Sequence, residues 1–435
     1  AMQLWRRINN QAHFRRKRIF RRQIIYIENR PGGPHIYDRQ FRRYLHSLGQ
    51  KRLSPKEVGA LLAKTTLMTG LVMKTGTVEL FGVVSGLVGS VLHLNANVLS
   101  DEDIIQIALT HGLLRDTDGV RRWIGNENHK LKLARHGLEP LELLVIHAQT
   151  EMDALYDLTV RRGLRPAAII ASGSGEMLDL VEQQPWLQQE LEIIGWARAQ
   201  GVPFLGICFG MQLLGYQTFR IMPVYHQVPE GVTHERHTSS GLDLPVSPGA
   251  RRMIYGSRDI RPNPFRQGPP HPVMSNIEHI HALEAHSMGF ELGRHSIPLS
   301  AVQGISVDSF IDENKPDSEV TRWTVEVITD SKAVGVQLHP ELDRSLLLLL
   351  LRLPQFTAFM EAEGQNLDVL RQDLVSFKPD RRSSGARLGY NFLKYVVSPN
   401  WLDHLRDTGV IKADKVRQIL DERMKANDTG SIPPR

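Results

Sequence analysis

The sequence holds one cysteine, Cys208, in 435 residues. A single thiol excludes an internal disulfide framework and any Cys-based zinc site, so the chain suits a reducing compartment such as the cytoplasm. Two nucleotide-activating motifs are also missing. No stretch has the glycine-rich form of a P-loop, and none reads Ser-Gly-Gly-x-Asp-Ser, the pyrophosphatase loop. A built-in synthetase is therefore not expected. No apolar stretch directly follows the first arginine clusters, as a secretory leader requires; residues 1–25 are arginine-rich and acid-free like transit segments, but contain no serine. No internal repeat is visible.

What is there is unevenly charged. Of a net charge of +6, residues 1–52 carry +12: fourteen Lys or Arg against Glu28 and Asp38. The rest of the chain is mildly acidic. Residues 1–52 thus read as a basic arm of the kind that touches nucleic acid, an anionic membrane surface or an acidic protein, or simply as a solvated tail. Residues 53–138 form a second, helical zone. It opens at Ser54-Pro55-Lys56-Glu57, where Ser54 can cap a helix and Pro55 can occupy its first position. Within it, residues 80–100 hold no charged side chain. Their 21 residues match one bilayer crossing and carry a small-xxx-small spacing, yet His93, Asn95 and Asn97 also fit a buried helix packed through its glycines. Peripheral membrane association stays open on this reading.

Residues 139–362 alternate short, continuous apolar runs with helical stretches. LELLVIH (141–147), PAAIIAS (166–172), VPFLGI (202–207), TRWTVEVIT (321–329) and AVGVQLH (333–339) read as strands, the first three as buried ones; residues 150–162 and 187–200 read as helices. The expected fold is α/β: a mostly parallel sheet flanked by helices. Residues 363–435 read as a helical C-terminal extension. Within the α/β zone, an insertion at about 225–280 is rich in Pro, His and Arg and suits a lid or a partner surface. Its histidines (His226, His234, His237, His271, His279 and His281) have no ligand-like spacing, so they read as surface residues and no metal site is expected. The run SLLLLLLRL (345–353) is too short to span a membrane and reads as core.

The chemistry concentrates at two places. In GVPFLGICFGMQLLGYQ (201–217) a strand turns sharply into a helix at Gly206-Ile207-Cys208-Phe209-Gly210, a nucleophile elbow with cysteine in place of serine. The helix that follows aims its N-terminal N–H groups at the sulfur, where they favour a thiolate and then an oxyanion. A thiolate needs a base, and the base an orienting partner. GVQLHPEL supplies both: His339 and Glu341 stand two apart in an extended segment, on the same side of the backbone, with Pro340 stiffening it.

These segments resemble the class I (triad) glutamine amidotransferase family, whose nucleophile segment PFLGICFGMQLLG matches almost residue for residue and whose His/Glu segment GVQLHPE matches as well. The resemblance covers about residues 140–362. It implies glutamine hydrolysis through a γ-glutamyl thioester on Cys208, with His339 as general base and acid and Glu341 orienting it. It also implies that the Phe209 N–H contributes to an oxyanion hole, and that Gly210 and Gln212 help hold glutamine. A third family element, which grips the glutamine backbone, corresponds to His286, Ser287 and Met288 in EAHSMGF. No cofactor is implied, and the ammonia would pass to a synthetase or other acceptor enzyme. Two departures stand out. Where the family has Ser-Gly-Gly-Pro-Gly, this chain has Ser172-Gly173-Ser174-Gly175, so Gly173 would sit beside substrate and Ser174 would give the second oxyanion N–H. And only about 20 residues separate LELLVIH from PAAIIAS, so the front of the domain reads as trimmed. Three roles fit: a glutaminase serving a separate acceptor enzyme, a stand-alone γ-glutamyl hydrolase, or an inactive scaffold docked on nucleic acid, membrane or a large assembly.

Overall fold

The computed structural model describes residues 20–29, 117–174, 183–236, 254–312, 315–341, 366–377 and 385–425, with short stretches and isolated positions between them. Its first strand, β1 (Gln23–Glu28), comes from inside the expected basic arm. The reason is local. Between the arginines, QIIYIE is a β-branched and aromatic run, and all of Ile24, Ile25, Tyr26 and Ile27 are fully buried. After helix α1 (Thr117–Leu131) come β2 (Glu142–His147), α2 (Ala148–Tyr156), β3 (Ala168–Ala171), α3 (Pro185–Ala199), β4 (Phe204–Ile207) and α4 (Phe209–Phe219). The second half holds β5 (Val224–Tyr225), β6 (His234–Arg236), β7 (Asp243–Pro245), β8 (Ile254–Pro262), β9 (Ile280–His286), β10 (Met288–Glu291), β11 (Val302–Asp312), β12 (Lys315–Asp330) and β13 (Ala333–Val336).

The sheet runs β2-β1-β3-β4-β13-β12-β11-β6-β7. Its first five strands are parallel; from β12 outward the pairing is antiparallel. Strand β1 lies between β2 and β3, with Ile24 opposite both Leu143 and Ala168. This corrects the reading of a trimmed front. The gap between β2 and β3 has room only for α2 and a π-helical turn (Asp157–Arg161), and the missing strand is supplied by the chain more than 100 residues earlier.

A central strand must bury both faces, and β1 does so by alternation. Ile25 and Ile27 join a core with Met152 and Leu155 of α2, Ile193 and Ile194 of α3, and Leu213 and Leu214 of α4. Ile24 and Tyr26 join the opposite core with Val120 and Trp123 of α1 and the C-terminal helices. Each such fully buried side chain contributes about 1.5–3 kcal/mol. Of the C-terminal helices, α5 (Leu367–Ser376) packs on Tyr255 of β8 and Leu283 of β9, whereas α6 (Ala386–Asn391), α7 (Ser398–Asp407) and α8 (Ala413–Lys425) belong to this core and are more than an appendage. Leu388, Trp401, Leu402, Val416 and Ile419 cover the sheet together with α1. A buried ion pair fastens this layer: Arg423 donates from Nε and Nη2 to the Glu127 carboxylate at 2.8–3.1 Å, and Ser398 Oγ donates to Glu127 Oε1 at 2.9 Å.

No helix among the described residues is long and apolar enough to cross a membrane. Segment 80–100, most of the arm and most of 345–353 lie outside the described residues, although Leu351 is buried. In the insertion, His226 is fully buried, unlike the surface position expected for it.

Candidate active site

Cys208 ends β4 and caps α4 with φ 52° and ψ −106°. A non-glycine residue held there costs on the order of 1–3 kcal/mol. The flanking glycines have a steric cause. A methyl group at Gly206 would lie 2.3 Å from the Gly210 carbonyl oxygen, and one at Gly210 would lie 2.5 Å from that of Ala171. Strand, elbow and helix pack backbone to backbone, so G-x-C-x-G is required by contact. The amides of Met211 and Gln212 turn back to the Cys208 carbonyl at 2.9 and 3.1 Å. Those of Phe209 and Gly210 are left as helix-start donors without an acceptor in the helix itself.

Strand β13 lies beside β4 with Val336 opposite Ile207, and the Cys208 N–H donates to Val336 O at 2.7 Å. That register carries Gln337 and His339 out along the elbow. Gln337 Nε2 donates to Cys208 Sγ at 3.5 Å, and His339 Nδ1 donates to Glu341 Oε1 at 2.8 Å. Burial works against a charge on His339, but the Glu341 carboxylate and a hydrogen bond with Cys208 outweigh it, holding the imidazole pKa well above 6.5. Glu341 is itself buried.

The Ser172–Ser174 loop, continuing β3, closes the third side. A methyl group at Gly173 would come within 2.8 Å of His339 Cε1 and 3.3 Å of Cys208 Cβ, so any side chain there would press on both. Ser174 stands next in line, its Oγ donating to Asn29 O at 2.8 Å. The elbow, the His/Glu segment and this loop therefore meet at one point. The expected substrate grip is arranged differently from a simple reading of its side chains. Gln212 Nε2 donates to Met288 O at 2.9 Å, tying α4 to β10. His286 turns inward, with Nδ1 3.1 Å from Met288 O and 3.2 Å from His226 Nε2, while Ser287 O accepts from the His226 N–H at 2.9 Å. Gln337, Asn29 and Glu190 were missed by sequence reasoning. Gln337 was legible two residues before His339; Asn29 had no signal without its strand.

One group of side chains among the described residues could hold a metal: Glu284, His286 and Glu326, all buried, with ligand atoms within 4.8 Å of one another. Arg258 already stands there, paired with Asp308 and 3.7 Å from Glu284, so a fixed positive charge offsets the carboxylates. Burial, then the nearby Glu284, pushes the Glu326 carboxyl up to about 8, and its Oε1 accepts from Ser306 Oγ at 2.5 Å. Burial lowers His286 to about 4, which keeps it neutral.

A mostly parallel sheet whose central strand β4 ends in a strained cysteine elbow, with a His–Glu pair just beyond the adjoining strand β13, defines an α/β architecture. The family comparison agrees: residues 141–346 match the family model for glutamine amidotransferase class-I. This part of the chain is a class-I glutamine amidotransferase domain. Strand β1 lies outside the matched range. Similar solved structures include a glutamine amidotransferase from Thermotoga maritima, at 14% identity over 62% of this chain and 91% of that one, with a TM-score of 0.36. A glutamine amido transferase from Methylobacillus flagellatus is 17% identical over 60% and 86%, with a TM-score of 0.33. The Trypanosoma brucei CTPS glutaminase domain with bound acivicin is 14% identical over 58% and 90%, with a TM-score of 0.30. No curated protein sequence matches the chain.

Proposed function

We propose that the chain is a glutaminase that hydrolyses the side-chain amide of glutamine and hands the ammonia to a separate acceptor enzyme. The observation that carries this reading is the meeting of Cys208, His339 and Glu341 at the strained elbow, with His339 hydrogen-bonded to Glu341 at 2.8 Å. The Cys208 thiolate attacks the glutamine Cδ, forming the S–C bond and an oxyanion. The N–H groups of Phe209 and Ser174 stabilise that oxyanion. His339, as imidazolium, gives its proton to the amide nitrogen; the C–N bond breaks and ammonia leaves. The neutral imidazole then takes a proton from water, whose oxygen attacks the thioester. Glutamate leaves with the thiolate restored, and no redox partner is needed. Glu341 keeps the His339 ring oriented through both proton transfers. Gly210, Gln212 and the backbone of Ser287 and Met288 line the place of the glutamine, with Gly173 against its reacting end. The absence of either nucleotide-activating loop from these residues supports, within this reading, an acceptor site outside them.

The test is ammonia release from glutamine by wild type and Cys208→Ser, with and without cell extract. The reading expects the variant to fall by about 10³-fold or more, and extract to raise the wild-type rate. Equal rates for wild type and variant would defeat it.

A further inference from the structure

We infer that Asn29 is a positioning residue which fixes the Ser172–Ser174 loop over Cys208, with Glu190 locking Asn29 in turn. The inference deepens the glutaminase reading and rests on it for its kinetic consequence. An oxyanion donor helps only if it is held in place before the charge develops. The loop has a Gly at its centre and a Ser where a second Gly would be expected, so something must fix its backbone.

The hydrogen bonds show what does. The β1–β3 ladder continues one step past the strands, with the Ser172 N–H donating to Ile27 O at 3.0 Å. Asn29 then uses three of its groups. Its backbone N–H donates to Ser172 Oγ at 3.0 Å, its Nδ2 donates to Ser172 O at 3.1 Å, and its carbonyl accepts from Ser174 Oγ at 2.8 Å. Gly173, the residue against the thiol and the imidazole, is bracketed on both sides by one asparagine. The Ser172 hydroxyl, having accepted from Asn29, donates onward to Gly173 O at 3.1 Å. The second Nδ2 hydrogen goes to Glu190 Oε1 on α3, also at 3.1 Å. Asn29, Ser172 and Glu190 are all fully buried, so no solvent competes for these bonds.

The side-chain chemistry is selective. Both amide hydrogens are used, one on a carbonyl and one on a carboxyl oxygen. An aspartate would place an acceptor against both. The serine at 174 acquires a reason as well. Its hydroxyl reaches the Asn29 carbonyl, which a glycine could not do, so the departure from the expected loop sequence is matched by a partner just past a distant strand.

The experiment compares full-length wild type with Asn29→Ala, Asn29→Asp, Ser174→Ala and Glu190→Gln. It measures amide hydrogen exchange at residues 172–174, iodoacetamide alkylation of Cys208, and kcat and KM for glutamine. For Asn29→Ala we expect loop exchange at least about tenfold faster and kcat lower by about 10–100-fold, with KM within about threefold. Alkylation needs the thiolate but no oxyanion hole, so it stays within about twofold of wild type. Asn29→Asp fails to rescue. Glu190→Gln, which keeps an acceptor oxygen, stays near wild type, and Ser174→Ala loses about three- to tenfold in kcat. Unchanged loop exchange and kcat in Asn29→Ala overturn the inference. Loss of alkylation together with exchange throughout the chain also overturns it, since that marks a general structural role. If Asn29→Ala does not fold, Ser174→Ala decides through the same exchange readout. If wild type hydrolyses no glutamine, the glutaminase reading falls, while loop exchange still tells whether Asn29 clamps the loop.

Discussion

Cys208 and the Ser172–Ser174 loop face each other across the candidate site, yet they are held by different means. The elbow is built from neighbours in sequence: two glycines that let strand and helix touch, and a helix start that leaves its amides free. The loop is built from residues far apart in the chain, with Asn29, just past β1, and Glu190 from α3 closing on it through buried hydrogen bonds. A nucleophile set by local geometry can be read from a short motif. A loop set by tertiary contacts cannot, and its integrity depends on the whole sheet being assembled.

The largest effect should come from the elbow side. Glu341→Gln removes the charge that keeps His339 protonated and oriented, and kcat for glutamine should fall by about 10²–10⁴-fold. The same variant has a signature in stability. Because the folded-state pKa of His339 is raised above 6.5, its contribution is fully present below pH 6.5 and is lost as pH rises through the raised value. Thermal melts should therefore show the wild-type advantage over Glu341→Gln shrinking from pH 6.5 upward. An advantage that grows with pH would contradict this.

The sequence makes the elbow and the His–Pro–Glu segment plain, since each is a contiguous motif with its own physics. It also shows β2, β3, β4, β12 and β13 as apolar runs. It hides β1, because QIIYIE sits among arginines and its neighbours in the sheet begin more than 100 residues later. It hides the covering role of the C-terminal helices for a similar reason: the Arg423–Glu127 pair joins residues almost 300 apart, and no local pattern announces it. The histidines of the insertion mislead in a third way. His226 carries no sequence sign of being buried, and only the fold shows it packed against His286.

Where the two regions touch, Gly173→Ala should be next in size. Its methyl would press on the His339 ring from 2.8 Å. Displacing the imidazole by about 1 Å should cost about 100-fold in kcat, while circular dichroism and thermal midpoint change little. A fully active Gly173→Ala would mean that loop and imidazole are not in contact.

Glu190→Gln probes the loop side alone. Burial pushes the Glu190 carboxyl from 4.5 up to about 8. Below pH 4.5 both folded and unfolded chains hold the proton. Between pH 4.5 and 8 the unfolded chain ionises while the folded one does not, so stability falls as pH rises. The variant removes that penalty and should be more stable than wild type by on the order of 5 kcal/mol above pH 8, with the gain vanishing near pH 4.5. Chemical denaturation across this range measures it; a pH-independent difference would contradict the burial argument.

The smallest expected effect is at Gln337, which touches the sulfur without belonging to the proton path. Gln337→Leu deletes one 3.5 Å hydrogen bond to Sγ and should lower kcat by about 2–10-fold. A loss as large as that of Glu341→Gln would place Gln337 in the proton path.

The central claim is that glutamine is cleaved through a thioester on Cys208. Rapid acid quench of the enzyme with glutamine, followed by peptide mass analysis, addresses it directly. The account predicts one γ-glutamyl group on the Cys208 peptide, formed before ammonia release reaches its steady rate and absent from Cys208→Ser. Glutamine hydrolysis that proceeds with Cys208 unmodified throughout would contradict it.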